Sequence, residues 1–592
     1  MSASTQHPSQ LISETRHYNS LRAACRLPEE VVCKIFITCA RSSVGVDGDS
    51  DAWSWVNLTY VCVSWRRAAL GCQDLWRYID FSQPKWYQIT LGRAKMSALH
   101  VKATVTDSNI RQLHRTLQLA HRIQDIHLTS PIQKILPLLQ ILAHPNPALQ
   151  SLVVNVHIPK TKSFIEAYDP PSFPTCGPPL KNLKYMELRS APFYLLTSRC
   201  IFLTHFHLHD LPLTERPTLR YFLFMLEQLT QLQHLTLDHS FPINMDLGDV
   251  QSLERRILLP KLRSISLMGS VTEMGNILEC IMLPASAQLV GRVSTLAGVK
   301  DDIWRLAQAI YSHSSAAADL FPLETLVLTG VEWSTRFVGD GMIPNPDFRQ
   351  SLRIRAFRAD SDRGGAAIDL TFQPYELNPS DETMVTTLTA IWKALSLSKI
   401  HTLALQDLDI ITQKSWSQFL PTLPSLRVLD ITGRAPSGLV WALLLNARSF
   451  GQVLQGGGGD QRVLVPRLED VYLHQVDCSS GGYMVAQAVP VNSHCDLDDS
   501  RFVDVLNASL DSRRKFGLLL RSLSIARCEY VMRKSVEDAR KAVSYLICDF
   551  RNMVKDEDVD EAAPARYRGG WGCKHTQIRH YFRLRTLVQL DS

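Results

Sequence analysis

Apolar residues recur along the chain in one spacing, apolar-x-x-apolar-x-apolar, which appears eleven times between Ile123 and Ile525. In most of these sets the last two apolar positions alternate with polar ones, which is the period of a strand with one buried face. The sets are Ile123, Ile126, Leu128; Leu149, Leu152, Val154; Leu183, Met186, Leu188; Leu203, Phe206, Leu208; Leu232, Leu235, Leu237; Leu262, Ile265, Leu267; Leu323, Leu326, Leu328; Ile400, Leu403, Leu405; Leu426, Leu429, Ile431; Leu468, Val471, Leu473; and Leu520, Leu523, Ile525.

Segments with helical periodicity separate these sets. Residues 218–229 and 301–312 each carry one apolar stripe at the spacing of an α-helix. A strand followed by a helix every 20–30 residues or so is typical of leucine-rich repeats. The sequence therefore predicts an α/β fold, an irregular leucine-rich-repeat solenoid of horseshoe shape over residues 86–550. Polar, Gly-rich stretches near residues 334–365 and 451–465 are interpreted as loop insertions. The alternative is a pair of ordinary α/β domains with leucine-rich strands.

The region from residue 25 to 85 differs in character from the repeats. Proline at the first helical position and two glutamates after it predict a helix start at Leu27-Pro28-Glu29-Glu30. A second helical region, residues 53–70, is dense in tryptophan and aliphatic residues, and Gly71 is placed to end it. So short a segment cannot bury all these groups alone, and some are expected to face a partner.

Three pieces of this region resemble an F-box in order and spacing. They are Leu27-Pro28-Glu29-Glu30-Val31-Val32-Cys33-Lys34-Ile35-Phe36, then Val61-Cys62-Val63-Ser64-Trp65-Arg66, then Leu75-Trp76. The resemblance implies a short three-helix domain that binds the Skp-type adaptor of a cullin ubiquitin ligase. It implies an adaptor surface made of Leu27, Pro28, Ile35, Phe36, Val61, Trp65, Leu75 and Trp76. The loop between its first two helices is longer than in compact F-boxes. The alternative is a plain helical cap on the first repeat.

Composition narrows the class of protein further. A net charge of +6 over 592 residues is slight and gives no basis for a nucleic-acid partner. No run of eighteen apolar residues exists, and residues 1–24, expected to be a flexible tail, lack the apolar core of a signal peptide. The thirteen cysteines form no CxxC pair, which predicts free thiols in the cytoplasm or nucleus. The acidic and then Gly-rich basic residues 551–592 are interpreted as a tail.

No catalytic or nucleotide-binding motif is present, and the four glycines 456–459 lack the lysine and helix start of a phosphate loop. We expect no catalytic residue, no cofactor and no metal. The most polar constellation is His205-Phe206-His207-Leu208-His209, whose histidines share the solvent face of a strand. Alternate side chains on a strand lie about 7 Å apart, too wide for easy tridentate metal binding. A polar recognition patch, sensitive to pH near neutrality, is the favoured interpretation.

The same face, projected across neighbouring strands, predicts a surface for a protein substrate. Its candidate residues are Tyr185, Glu187, Arg189, His205, His207, His209, His234, Asp238, Asp430, Tyr472 and His474. The sequence thus predicts a non-enzymatic substrate-recognition subunit of a Skp–cullin–F-box type ubiquitin ligase. One alternative is a repeat scaffold or sensor unconnected with ubiquitin. Another is a metal- or histidine-dependent hydrolase built on the histidine strand, for which no base, orienting group and nucleophile can be placed together.

Overall fold

A computed structural model gives the architecture of the chain. The structure describes residues 22–43, 54–79, 84–141, 148–157, 180–195, 200–243, 256–295, 300–317, 320–332, 350–359, 365–372, 381–409, 411–456, 463–478 and 501–549, with 13, 17, 81, 337–338, 341–342 and 553–554. Two compact units divide the chain, residues 1–290 and 291–592. Both are mixed α/β with mostly parallel sheets, and thirteen α-helices lie within the described residues.

The first unit contains seven helices and ten strands in its described part. The helices are α1 (Glu29–Ser43), α2 (Val63–Gly71), α3 (Pro84–Ala94), α4 (Ile110–Leu117), α5 (Ile132–Ile141), α6 (Leu219–Gln228) and α7 (Val271–Cys280). The strands are β1 (Tyr78–Ile79), β2 (Leu99–Thr104), β3 (Ile123–Ser130), β4 (Ser151–Val156), β5 (Tyr185–Arg189), β6 (His205–His209), β7 (His234–Asp238), β8 (Ile257–Leu258), β9 (Ser264–Ser270) and β10 (Ile281–Met282). β11 (Gln288–Thr295) crosses the division.

In this unit the main sheet is parallel and its strands are neighbours in chain order, β1-β2-β3-β4-β5-β6-β7-β9. The helical N-terminal region continues into it, because β1 follows directly on the short helix Gln73–Trp76 and pairs with β2. The predicted domain boundary near residue 85 therefore lies inside the first compact unit, and it stays a prediction. Helix starts follow the expected chemistry: Glu29 and Glu30 occupy the first turn of α1, and Thr218 caps α6 by accepting from the Tyr221 N–H.

Within the second unit, six helices and twelve strands are described. The helices are α8 (Lys300–Ala317), α9 (Asp381–Ala394), α10 (Gln413–Phe419), α11 (Ser437–Gly456), α12 (Phe502–Arg514) and α13 (Arg533–Ala542). The strands are β12 (Leu323–Glu332), β13 (Phe337–Val338), β14 (Gly341–Met342), β15 (Gln350–Arg358), β16 (Ile368–Phe372), β17 (Thr402–Gln406), β18 (Val428–Arg434), β19 (Asp470–Asp477), β20 (Leu520–Ala526), β21 (Val531–Met532), β22 (Val543–Cys548) and β23 (Met553–Val554).

The predicted loop insertion at residues 334–365 is wrong in part, because it contains the nine-residue strand β15. This strand pairs antiparallel with β12 on one side and β16 on the other, while β12, β17, β18, β19, β20 and β22 form a parallel series. Leu352, Ile354 and Ala356 of β15 are buried, so the alternation Leu-Arg-Ile-Arg-Ala is that of a strand with one buried face. The second insertion begins later than predicted, since α11 extends to Gly456; residues 457–462 lie outside the described part.

Every residue of the eleven apolar sets is buried, and the last two of each set lie in a strand. The end of these strands is also repeated. Ser190, Asp210 and His239 have positive φ values of 49°, 51° and 46°, and each lies two residues after the last buried position of its set. Asp407, Gly433, Gln475 and Arg527 repeat this in the second unit. At Gly433 the conformation requires glycine, since a Cβ there would meet Asp407 Oδ1 at 1.9 Å. The sequence repeat is thus also a repeat of backbone conformation.

Candidate functional site

Three adjacent strands of the first unit carry polar side chains opposite their buried ones. Phe206 and Leu208 are fully buried, as the pattern predicts, and the three histidines of β6 lie on the other face. Strand register arranges this polar face in three rows: Tyr185, His205 and His234; Glu187, His207 and Thr236; and Arg189, His209 and Asp238. The structure therefore brings together all eight candidate residues between Tyr185 and Asp238. We call these eight residues, together with Thr236, the polar face.

Glu187 is the most buried member of the polar face, with 8% of its surface exposed. Its carboxylate accepts a hydrogen bond from the Tyr185 hydroxyl and another from Nε of Arg189. Burial alone would raise the pKa of Glu187, but these two hydrogen bonds and the Arg189 charge outweigh it and hold the pKa below its usual value. The buried carboxylate is therefore an internal anchor, and its charge is neutralised by its own neighbours.

The histidines of the polar face use one ring nitrogen each for a contact inside the unit. Nδ1 of His207 lies 2.8 Å from Thr236 Oγ1, and Nδ1 of His209 lies 3.1 Å from Asp238 Oδ2. Burial lowers the pKa of His207 to about 4, and burial also lowers the pKa of His205 and of His234. The expected sensitivity to pH near neutrality is wrong for His207, because partial removal from water keeps its ring uncharged.

The first row of the polar face consists of three aromatic rings, those of Tyr185, His205 and His234. The rings of His205 and His234 stack with centroids 4.4 Å apart and an interplanar angle of 20°. Tyr185 packs against His207 at 5.1 Å and against His205 at 5.9 Å. Uncharged imidazoles next to a tyrosine offer flat surfaces and single hydrogen bonds to a partner, and little charge.

Two neighbouring strands, β2 and β3, carry further polar side chains beyond the nine residues of the polar face. β2 adds His100, whose Nδ1 contacts the Asp125 carboxylate of β3 and whose ring stacks on Tyr78 at 4.7 Å. His127 lies two residues after Asp125 on the same strand, β3, and burial lowers the pKa of His127 as well. The alternation of Leu99, Val101 and Ala103 with polar residues is the sequence signal for β2.

No group of three His, Cys, Asp or Glu side chains within the described ranges has a geometry that could hold a metal ion. The ring centroids of His205 and His207 are 6.3 Å apart, and those of His207 and His209 are 6.4 Å apart. That spacing follows from the strand period and matches the distance expected from the sequence.

The second unit holds the other three candidates. Asp430 of β18 pairs in register with Tyr472 of β19, and Thr432 pairs with His474. All three candidates are partly exposed, and each alternates with buried residues of its strand. The structure thus places Asp430 and Tyr472 side by side, with His474 one row further on.

The N-terminal module, residues 22–79, forms a core of its own. Phe36 of α1 is fully buried and packs edge-on against the Trp65 ring of α2 at 5.8 Å. Leu75 and Trp76 are each only 3% exposed. Nε1 of Trp76 donates to the Ala69 carbonyl at 2.8 Å, and the Arg93 guanidinium lies 4.4 Å above its ring.

Three of the eight residues assigned to an adaptor surface therefore do not lie at the surface. Phe36, Leu75 and Trp76 are buried in the core of the module. Burial of its largest apolar side chains is the main favourable contribution to the stability of so small a module. Pro28 and Val61 are exposed, and Leu27, Ile35 and Trp65 are partly exposed.

Other apolar side chains of the module, which the sequence did not single out, are exposed. Tyr60 is 70% exposed and Val63 is 51% exposed; Val31 and Leu70 are also exposed. With Val61, these residues form what we call the apolar rim. Arg66 lies 6.0 Å from the Tyr60 ring and adds a cation beside it. Nothing in the sequence pattern distinguishes these exposed residues from the buried apolar residues of the same segments.

No protein-family model matches the chain, and no curated protein matches it as a relative. The described helices are each too short or too polar to cross a lipid bilayer.

Proposed function

We propose that the chain is the substrate-recognition subunit of a Skp–cullin–F-box type ubiquitin ligase in the cytoplasm or nucleus. In this proposal the N-terminal module is an F-box that docks on a Skp-type adaptor. The two sheets belong to a leucine-rich-repeat solenoid that holds a protein substrate. The chain itself does no chemistry; it raises the effective concentration of the substrate near the activated ubiquitin.

One observation carries the proposal, and it is the apolar rim. Single exposed apolar residues are common on protein surfaces. Here Tyr60, Val61, Val63 and Leu70 are exposed within one short segment, next to a compact core that already contains Phe36 and Trp76. Such a concentration of exposed apolar groups is typical of a surface that binds a protein partner. It coincides with the segments that resemble an F-box.

The polar face supports a role in protein recognition. Its carboxylate Glu187 is satisfied internally, and burial lowers the pKa of His205, His207 and His234, so a ligand would meet flat rings, hydroxyls and single donors or acceptors. Those groups suit the main chain and polar side chains of a protein segment better than they suit an apolar small molecule.

Adaptor binding is the test of the proposed function. The full chain, with Val61→Asp and Val63→Asp together, is compared with wild type for binding to the purified Skp adaptor of the same organism. Two charges at an apolar interface should cost about 2 kcal/mol or more, over tenfold in affinity. Both substituted side chains are exposed, so the fold should be retained.

The matched control places aspartates at Met96 and Leu213, which are 78% and 69% exposed in the same unit but outside the module. It should bind the adaptor as wild type does. Wild-type protein that fails to bind any Skp adaptor, or rim variants that bind unchanged, would overturn the proposal and favour a repeat scaffold unconnected with ubiquitin. Deletion of residues 1–85 is a poorer test, because it also removes β1 from the sheet.

A further inference from the structure

Two cysteines of the N-terminal module converge on one carbonyl oxygen. The thiol of Cys33 in α1 donates to Ala68 O at 3.7 Å, and the main-chain N–H of Cys72, just after α2, donates to the same oxygen at 2.9 Å. The Cys33 thiol therefore lies beside the main chain of Cys72, since both groups contact the same oxygen. Both cysteines are reduced and partly exposed, so an external reagent can reach them.

The surrounding packing keeps this contact in place. A Cβ on Gly71 would lie 3.4 Å from Glu29 Oε1, so the end of α2 lies against the start of α1. The side chain of Cys62 caps α2 at the other end by accepting from the Trp65 N–H. Disulfides form between cysteines whose Cβ atoms already face each other at close range, because larger movements store strain. The two contacts with Ala68 O, held by two helix ends, keep Cys33 and Cys72 close enough that a bridge needs only a small movement.

We propose that Cys33 and Cys72 are a reversible oxidation site, at which a small disulfide such as glutathione disulfide joins α1 covalently to the end of α2. Val31 and Leu70, two members of the apolar rim, each lie two residues before one of these cysteines. The bridge would therefore fix the part of the module that carries the rim. Its formation does not depend on the proposed function and needs no adaptor.

The order of the two exchange steps follows from the surroundings of Cys33. Burial, together with Cys72, Glu29 and Glu30, raises the pKa of Cys33 to about 12, so Cys33 keeps its proton and Cys72 attacks first. The Cys72 thiolate attacks one sulfur of glutathione disulfide, that S–S bond breaks, and one glutathione leaves and takes up a proton. Cys33 then loses its proton to solvent and attacks the mixed disulfide at Cys72, which expels the second glutathione. Two protein thiols lose two electrons, and one glutathione disulfide becomes two glutathiones.

A second cysteine pair provides an internal comparison. Cys478 and Cys528 in the second unit also lie close together, since the Cys478 N–H donates to Glu529 O at 3.2 Å and Sγ of Cys528 lies 3.5 Å from Leu473 O. They are 0% and 5% exposed, however. Thiol–disulfide exchange requires access of the reagent to sulfur. The exposed pair should therefore oxidise well before the buried pair.

The test is direct mapping of disulfides in the full chain. Reduced protein is incubated with glutathione disulfide, free thiols are blocked, and peptides are identified by mass spectrometry without reduction. We expect a cross-linked peptide containing Cys33 and Cys72, two hydrogens lighter than the separate peptides, while Cys478 and Cys528 are still alkylated. Thioredoxin or excess glutathione should reverse it. Oxidised protein should also unfold at a higher temperature, because the bridge closes a loop of about 40 residues.

Three variants make the result specific. Cys33→Ser should leave glutathione attached at Cys72 with no cross-link, and Cys72→Ser should leave Cys33 unmodified. Cys39→Ser, a third partly exposed cysteine of α1, should form the bridge as wild type does. The proposal is overturned if wild type accumulates glutathione on both cysteines without cross-linking, or if the buried pair is bridged first. It is also overturned if neither Cys33 nor Cys72 reacts before the chain unfolds.

Discussion

The Tyr185 hydroxyl donates a hydrogen bond to Oε2 of Glu187 at 2.5 Å, between two residues that point the same way on one strand. Arg189 closes the other side of the same carboxylate. Three consecutive outward positions of β5 thus form one hydrogen-bonded group. A carboxylate with only 8% of its surface exposed depends on both donors, because a buried charge without partners is costly.

Removal of either partner should therefore destabilise the strands around β5. Glu187→Ala leaves the Tyr185 hydroxyl and the Arg189 guanidinium without their acceptor and should cost about 1–3 kcal/mol. Tyr185→Phe removes one donor and should cost roughly 1 kcal/mol. Hydrogen exchange of peptides from β5, β6 and β7, followed by mass spectrometry, measures the local free energy of opening. Unchanged exchange in both variants would contradict the anchoring role.

The acid response of this group has a defined sign. Because the pKa of Glu187 is lower in the folded chain than its ordinary value of 4.5, its contribution to stability is present above pH 4.5. That contribution should be lost as the pH falls below 4.5 and the carboxylate takes up a proton. Glu187→Gln has no such proton to gain. Its opening free energy should therefore change less than that of wild type between pH 5 and pH 3.

His207 should make the same strands sensitive to acid at a higher pH. Its pKa falls from 6.5 to about 4 because burial disfavours the charged ring. As the pH falls, the unfolded chain therefore protonates His207 before the folded chain does. The contribution of uncharged His207 to the stability of the folded chain is present above pH 6.5 and is lost as the pH falls towards 4. Allowing for its partial exposure, the loss is about 2 kcal/mol.

His207→Gln tests this, since it should flatten the dependence of local opening on pH between 7 and 4. His114→Gln is the matched control, because His114 is an exposed histidine of α4 in the same unit. It should behave like wild type. A wild-type profile that is flat over this range would show that the His207 ring is freely hydrated.

The spacing of apolar residues predicted the core of both units because burial acts on every side chain in the same way. All eleven sets are buried, and Phe206 and Leu208 face inward while their neighbouring histidines face outward. The partners of those histidines could not be read in the same way. His207 meets Thr236 and His234 meets Ser264 only because strand register places residues that are distant in sequence side by side.

Two of the predictions from sequence are wrong for different physical reasons. The glycines and charges that flank β15 predict a loop, yet antiparallel pairing with β12 and β16 needs only alternation over a few residues. The resemblance to an F-box places Trp76 at an adaptor surface, but a motif does not distinguish residues that build a module from those that contact its partner. Only the packing shows that Trp76 is internal.

Trp76 should accordingly act on folding of the module before it acts on binding. Trp76→Ala leaves a cavity under Arg93 and removes the hydrogen bond to Ala69, and should cost about 3–5 kcal/mol. Peptides of α1 and α2 should then exchange as if unfolded. Val61→Ala at the exposed rim should leave their exchange within about 0.5 kcal/mol of wild type. Equal protection in the two variants would place Trp76 at the surface after all.

Asp409 in the second unit should make stability depend on pH in the opposite direction to Glu187 and His207. Its Oδ1 accepts the main-chain N–H of Ser437, the first residue of α11, at 3.1 Å. Burial raises the pKa of Asp409 from 3.8 to about 6, although the hydrogen bond from Ser437 and the charge of Arg434 act against it. The folded chain therefore holds this proton more tightly than the unfolded chain. Stability from this group is fully present below pH 3.8 and is lost as the pH rises through about 6.

Asp409→Asn keeps an oxygen to accept from Ser437 but carries no charge. At pH 8 it should protect α11 against hydrogen exchange by about 1–2 kcal/mol more than wild type, and the difference should shrink towards pH 4. Asp511→Asn on α12 is the control, because Asp511 is exposed and lies 3.1 Å from Lys515. Attraction to Lys515 and Arg514 lowers its pKa, so neutralising it should weaken α12 slightly at pH 8. If Asp409→Asn also weakens the unit at pH 8, the carboxylate is charged and stabilising there, and its burial has been overcome by the helix start that it caps.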